Sequence, residues 1–162
     1  MRVTQPLKRN LQQIPEDIAT VCGDRSHTWS QLVHRISALA GGLVNLGLKP
    51  QERVAIVSLN SDLYLETIFA APWAGGVIVP INYRWSAPEI AFALNDSGTK
   101  IIFVDETFSN VVPDLKNSSS TNYPLYPWMT PLRAATKFMK ISFLNQPNYL
   151  NLKITKMIFL VF

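Results

Sequence analysis

Four groups of residues have types and spacings that could do chemistry. Asp62 and Glu66 stand four apart, so on a helix they share one face, and a carboxylate pair can move protons or hold a metal. No histidine or third ligand is expected to join them. An acid in the first turn of a helix is also favoured by the helix dipole, so the pair reads as a solvated helix face. His27 and His34 are the only histidines. His34 falls on the polar side of a helical stretch with Gln31 and Ser37, and a catalytic histidine needs an orienting acid and a nucleophile; it reads as a surface residue. Cys22, in a short apolar strand, reads as core and not as a nucleophile. Asn82 and Arg84 follow an apolar strand at its carboxyl end, where α/β sheets place ligands. They are the best binding candidates. Arg84 could hold a carboxylate or tie loops together through bidentate bonds, and the tie is favoured because no partner is identifiable. No residue reads as catalytic and none as a metal ligand.

The elements that must position these residues are legible in part. Residues 18–22 read as a strand, Gly23-Asp24 as a turn, and His27-Thr28-Trp29 as the returning strand of a hairpin. Thr28-Trp29-Ser30-Gln31 has the form of a capping box. Leu32, Val33, Ile36, Leu39, Ala40, Leu43 and Val44 follow at helical spacing. Gly41-Gly42 interrupts that stripe, which suggests a close helix contact, and Gly47 is a natural stop. Arg53–Ser58 is an apolar strand, and Asn60-Ser61 caps a helix over residues 62–73 with Leu63, Phe69, Ala70 and Trp73 as core positions. Val77–Val79 reads as a buried strand closed by Pro80. Ser86-Ala87-Pro88-Glu89 opens another helix, with Ile90, Ala93 and Leu94 on one face and Gly98 at its end. Lys100–Asp105 is a further strand. Strand and helix alternating after residue 50 imply an α/β fold with a largely parallel sheet and covering helices. Trp73 and Trp85 read as packing residues at element ends.

The 162 residues are 48% hydrophobic and 16% charged, enough apolar material for a packed core. The net charge of +4 is unevenly spread. Residues 1–110 carry nine Lys/Arg and ten Asp/Glu, whereas residues 111–162 carry six Lys/Arg and only Asp114. These late cations are scattered among Tyr, Pro, Leu and Phe, with no basic run, so a nucleic-acid partner is not expected. The longest uncharged stretch, Thr67–Tyr83, is broken by two prolines and Gly-Gly, so no membrane span is expected. One cysteine excludes an intrachain disulfide. No secretory signal or C-terminal peroxisomal tripeptide is visible. An intracellular location is therefore expected.

From about Leu11 to Phe108 the chain resembles the amino-terminal region of the acyl-activating, adenylate-forming (AMP-binding) enzymes. The resemblance rests on Pro15-Glu16-Asp17-Ile18-Ala19, Thr28-Trp29-Ser30-Gln31-Leu32, Leu43–Leu48, Glu52–Ile56 and Asn60-Ser61. It continues through Ala74-Gly75-Gly76-Val77, Pro80-Ile81-Asn82-Tyr83-Arg84 and Glu89-Ile90 to Leu94. The wording Asn82-Tyr83-Arg84-Trp85 is similar to plant-type acyl-CoA synthetases, among them the succinylbenzoate-CoA ligases. The resemblance implies the amino-terminal subdomain of the adenylate-forming fold. It also implies a parent activity that joins a carboxylic acid to ATP, releases pyrophosphate and passes the acyl group to coenzyme A. ATP, Mg and CoA would be the parent cofactors, a carboxylic acid the substrate, and the cytoplasm or peroxisome the location.

That chemistry needs a glycine-rich phosphate loop ending in Pro-Lys. The nearest stretch here is Ser118-Ser119-Ser120-Thr121, which has no glycine and no following lysine. All seven glycines lie at or before Gly98. The chain is expected to divide into a partial amino-terminal subdomain, residues 1–112, and a divergent, irregular tail, residues 113–162, that reads like translated non-coding sequence. The expected function is that of a fragment of an AMP-forming acyl-CoA synthetase, inactive alone and using no cofactor itself. The alternative is a non-catalytic interaction module that binds a full-length homologue, a chaperone or another copy through uncovered apolar faces.

Overall fold

The computed structural model describes residues 3–117 and the backbone of residues 157–161. The serine run 118–121 and Trp128 lie outside the described residues. Helix α1 (Gln5–Gln13) comes first. It is not anticipated above, although Pro6 in its first turn and Leu7 and Leu11 at i, i+4 are helix signals. The hairpin follows as β1 (Ile18–Cys22) and β2 (Arg25–Thr28), turning at Gly23, whose φ of 58° suits glycine.

Helix α2 (Trp29–Asn45) starts at a complete capping box: Gln31 N–H donates to Thr28 Oγ1 at 3.3 Å and Thr28 N–H to Gln31 Oε1 at 3.0 Å. It runs through Gly41-Gly42 without a break. Gly42 is buried, but a Cβ on Gly41 would meet nothing within 4 Å, so Gly41 serves no close contact. The helix ends as expected at Gly47. Gly47 N–H donates to Val44 O and Leu48 N–H to Leu43 O, the two bonds of a Schellman stop.

Strand β3 (Arg53–Val57), helix α3 (Asp62–Trp73), strand β4 (Val77–Pro80), helix α4 (Ala87–Ser97) and strand β5 (Thr99–Asp105) then alternate. Ser61 caps α3 by accepting from Tyr64 N–H. The Glu89 carboxylate reaches back to Ser86 N–H at 2.8 Å. A 3-10 turn (Glu106–Val111) leads into α5 (Val112–Asn117).

The main sheet has the order β4-β3-β5-β6, where β6 is Met157–Val161. β3 pairs in parallel with both β4 and β5, and β6 is antiparallel to β5. The hairpin is a separate two-stranded sheet. Alternate residues of the central strands feed two cores. Val54, Ile56, Ile101 and Phe103 pack under α1, α2 and α3. Ala55, Val57, Ile102 and Val104 pack under α4, the 3-10 turn and α5. The sheet is thus covered on both faces, which is why β3 and β5 read as continuous apolar runs.

Two expectations are corrected. Strand β4 is an edge strand, not a buried one, and Val77 is 40% exposed. Trp85 is 41% exposed and does not pack at an element end. Trp73 does, lying against the α1–α3 core with Lys8 Nζ 5.6 Å from its ring. In the second core, Val112 and Leu115 are buried, so packed structure extends through α5, beyond residue 112.

Candidate functional site

Where β1–β2 lies over α2 and α3, the buried surface is polar. Thr20 pairs with His27 and Cys22 with Arg25 across the hairpin, so these four side chains share one face. Arg25 donates from Nε to Asp62 Oδ2 at 2.9 Å and from its second nitrogen to Asp62 Oδ1 at 2.6 Å. From α2, Arg35 grips Glu66 in the same two-pronged way, at 2.5 and 3.1 Å. His27 Nε2 lies 3.6 Å from Asp62 Oδ2. Planar guanidinium on carboxylate is the geometry that makes such pairs directional.

Asp62 and Glu66 are each only 5% exposed. The solvated face expected for them is wrong, as is the absence of a histidine beside them. The spacing correctly puts both on one face of α3. Which side that face turns to depends on the hairpin, whose arginine comes from 37 positions away. Arg25 and Arg35 are missed by the sequence reading. One signal was present: Arg35 adjoins Ile36 in the apolar stripe of α2, where a charge needs a partner.

Burial pushes the Asp62 carboxyl up, but the hydrogen bond and charge of Arg25, the Leu63 N–H and nearby His27 together hold it below the usual aspartate value. Burial also pushes Glu66 up, and there the bond and charge of Arg35 offset it only in part, so Glu66 stays above the usual glutamate value. The bond and charge of Asp62 raise the Arg25 guanidinium. His34, expected at the surface, is half-buried, and burial lowers its imidazole below the ordinary value. Cys22 is half-buried, with Arg25 4.0 Å from its sulfur.

His27, Asp62 and Glu66 each offer a ligand atom within 4.8 Å of the others, a donor set that suits a divalent cation by type. Their charges argue otherwise. Two guanidiniums already balance two carboxylates, so a dication would enter a neutral, mostly buried cluster and leave it strongly positive. Arg25–Asp62 is suited to holding the hairpin against α3, and Arg35–Glu66 to tying α2 to α3.

The carboxyl end of the sheet is built differently. Asn82 Oδ1 accepts from Arg84 N–H at 3.0 Å, which makes Asn82 a turn-former. The Arg84 guanidinium lies over the Tyr83 ring at 5.6 Å, and that ring lies 5.4 Å from Phe108. Both Asn82 and Arg84 are exposed. Ser58 Oγ donates to Asp105 Oδ2 at 3.2 Å across the ends of β3 and β5. The described residues do not fit a triphosphate. The glycines with positive φ, Gly23, Gly47, Gly75 and Gly98, each serve a separate turn, and no run of them presents successive N–H groups to one point.

A largely parallel sheet covered on both faces, with a hairpin clamped beside it, defines a doubly wound α/β protein. A family model described as AMP-binding enzyme matches residues 7–138, and the chain belongs to that family. The match runs well past the change of composition near residue 112.

The chain is 36% identical over 110 residues to the fatty acid–[acyl-carrier-protein] ligase ScoC of Streptomyces coeruleorubidus, covering 68% of this chain and 21% of that protein. It is 38% identical over 100 residues to the chloroplastic/peroxisomal 2-succinylbenzoate–CoA ligase of Arabidopsis thaliana, covering 62% and 18%. Plant and bacterial relatives thus match about equally. Among solved structures, the N-terminal domain of FACL13 from Mycobacterium tuberculosis superposes with a TM-score of 0.69 at 28% identity, covering 75% of this chain and 31% of that one. The chain spans about a fifth of the length of the curated relatives it matches, in their amino-terminal part. No helix among the described residues is long and apolar enough to cross a membrane.

Proposed function

We propose that this chain carries an amino-terminal portion of an AMP-forming acyl-CoA ligase and does not catalyse that reaction alone. The observation that carries the reading is the family match over residues 7–138, set against a chain with no glycine after Gly98. In the parent reaction a carboxylic acid attacks ATP, pyrophosphate leaves, and the acyl-AMP is captured by coenzyme A. ATP, Mg and CoA belong to that reaction; the described residues support a scaffold role beside it. Asn82 and Arg84 are proposed as scaffold, since one shapes a turn and the other lies on an aromatic ring. A cytoplasmic or peroxisomal location is proposed from relatives, one of which is a peroxisomal acetate/butyrate–CoA ligase of Arabidopsis thaliana. The test is ATP–pyrophosphate exchange by the purified chain over a panel of carboxylic acids. No acid-dependent exchange is expected, and acid-dependent turnover would overturn the reading.

A second reading, a non-catalytic interaction module, is favoured by exposed apolar side chains. Phe92 on α4 is 72% exposed, and among the described residues β4 is a four-residue edge strand. Its partner would be a full-length homologue or another copy. Co-purification with one defined homologue, lost on Phe92→Ser, is the expected outcome.

A further inference from the structure

The two outer flanks of the parallel part of the sheet differ in character. β4 has four residues and finishes at Pro80, which has no N–H to offer. β5 has seven residues, and its Ile101, Ile102, Phe103 and Val104 form an uncharged run, each at most 1% exposed. Of the two, β5 is the stronger template for a further strand, since a long, apolar edge without proline or charge is the kind that recruits one. That place is taken by β6. Met157–Val161 lies antiparallel to β5, with Phe159 opposite Phe103 in the register. It comes from outside the family-matched span, residues 7–138.

We propose that the β5 edge is a strand-acceptor surface whose occupant is Met157–Val161 of this same chain, and that this occupancy keeps a second copy from pairing there. The inference does not depend on the ligase reading. Successive N–H groups of a strand point to opposite sides, so every second one on β5 faces away from β3. β6 is the strand that meets them. Left open, they would lie at the border of both apolar cores, and any extended apolar segment could pair with them.

The occupant has the same liability as the edge. Met157-Ile158-Phe159-Leu160-Val161 carries no charge and no proline, so the segment is itself prone to add to a sheet when unpaired. Each strand therefore shields the other. Covalent attachment decides which copy of the segment sits on β5. It holds the chain's own strand near the edge at an effective concentration on the order of millimolar, above that of a second copy in dilute solution.

The test compares the full chain with the double variant Ile158→Pro, Phe159→Pro. Adjacent residues turn their N–H groups to opposite sides, so one of the two prolines removes a bond to β5 whichever way the strand is set. Sedimentation equilibrium is run on both over a wide range of concentration. The mass of the full chain should stay constant, and that of the variant should rise with concentration, at least twofold. The same profile for both would overturn the proposal. Should the variant fail to fold, amide hydrogen exchange on the full chain decides. Residues 101–105 should all be protected at a concentration where the chain is monomeric. Protection confined to every second residue, or gained only as the chain self-associates, overturns the proposal equally.

Discussion

The two faces of the main sheet are held by different physics. Under α1, α2 and α3 the apolar core is bordered by two ion pairs whose carboxylates are buried, Arg25–Asp62 with an exposed guanidinium and Arg35–Glu66 with a largely buried one. Under α4 and α5 the buried set is apolar: Ile81, Ile90, Leu94, Val112 and Leu115 against Ala55, Val57, Ile102 and Val104. The difference follows from what each face must hold. Helix α4 is tethered at both ends by β4 and β5, and Arg53 Nε from β3 adds a bond to the last-turn carbonyl of Ser97. Among the described residues the hairpin has no strand partner outside itself, and its inner face is polar, so the directional Arg25–Asp62 pair locates it where a contact without preferred orientation would not.

The largest expected effect tests the charged face. Glu66→Ala leaves the buried Arg35 guanidinium unpaired and should cost about 3–5 kcal/mol, read from urea unfolding. Replacing both partners, Arg35→Met with Glu66→Leu, should recover most of that loss, since an apolar pair avoids the desolvation of two charges. No recovery would mean that the pair contributes more than its burial costs.

Ile90→Ala tests the apolar face. It should cost about 2–4 kcal/mol through lost burial and a residual cavity, and the loss should be the same at low and high salt. Loss that varies with salt would show that the second face also relies on charge.

A smaller effect separates the faces by pH. Asp62 sits below its ordinary value of 3.8, so the stability it contributes is fully present above that pH and lost as the pH falls through the folded value. Glu66 sits above its ordinary value of 4.5. The folded chain therefore takes that proton first, and stability from this group rises as the pH falls through the folded value and levels off below 4.5. Asp62→Asn should flatten the acid limb of an unfolding-midpoint curve, whereas Ile90→Ala should shift the whole curve down unchanged in shape.

The smallest change tests the helix that bears Arg35. Gly41→Ala places a methyl where nothing lies within 4 Å and should stabilise α2 by about 0.5–1 kcal/mol. Gly76→Ala should destabilise instead, because its Cβ would lie 3.0 Å from Glu52 O and from a Leu48 methyl. Thermal unfolding of the two variants checks both signs.

Local rules carried far into the fold. The Thr28 capping box, the Ser61 cap, the Gly47 and Gly98 stops and the turn at Gly23 each depend on a few neighbouring residues. Each of them appears where the residue types put it. Helix α1 went unread because its signals, one proline and two leucines in a polar segment, are weak without the α2 and α3 surface that buries Leu7.

By itself, the sequence determined the order of strands and helices from β1 to β5, the doubly covered sheet, the family, and the placement of Asp62 and Glu66 on one helical face. Periodicity and capping act over a few residues, so they are written locally. Tertiary structure alone decided that this face turns inward, that Arg25 and Arg35 meet it, that His27 joins it, and that β4 lies at the edge. These outcomes depend on which distant segments pack together, and a buried carboxylate has the same local spacing as a solvated one until its guanidinium arrives from another element.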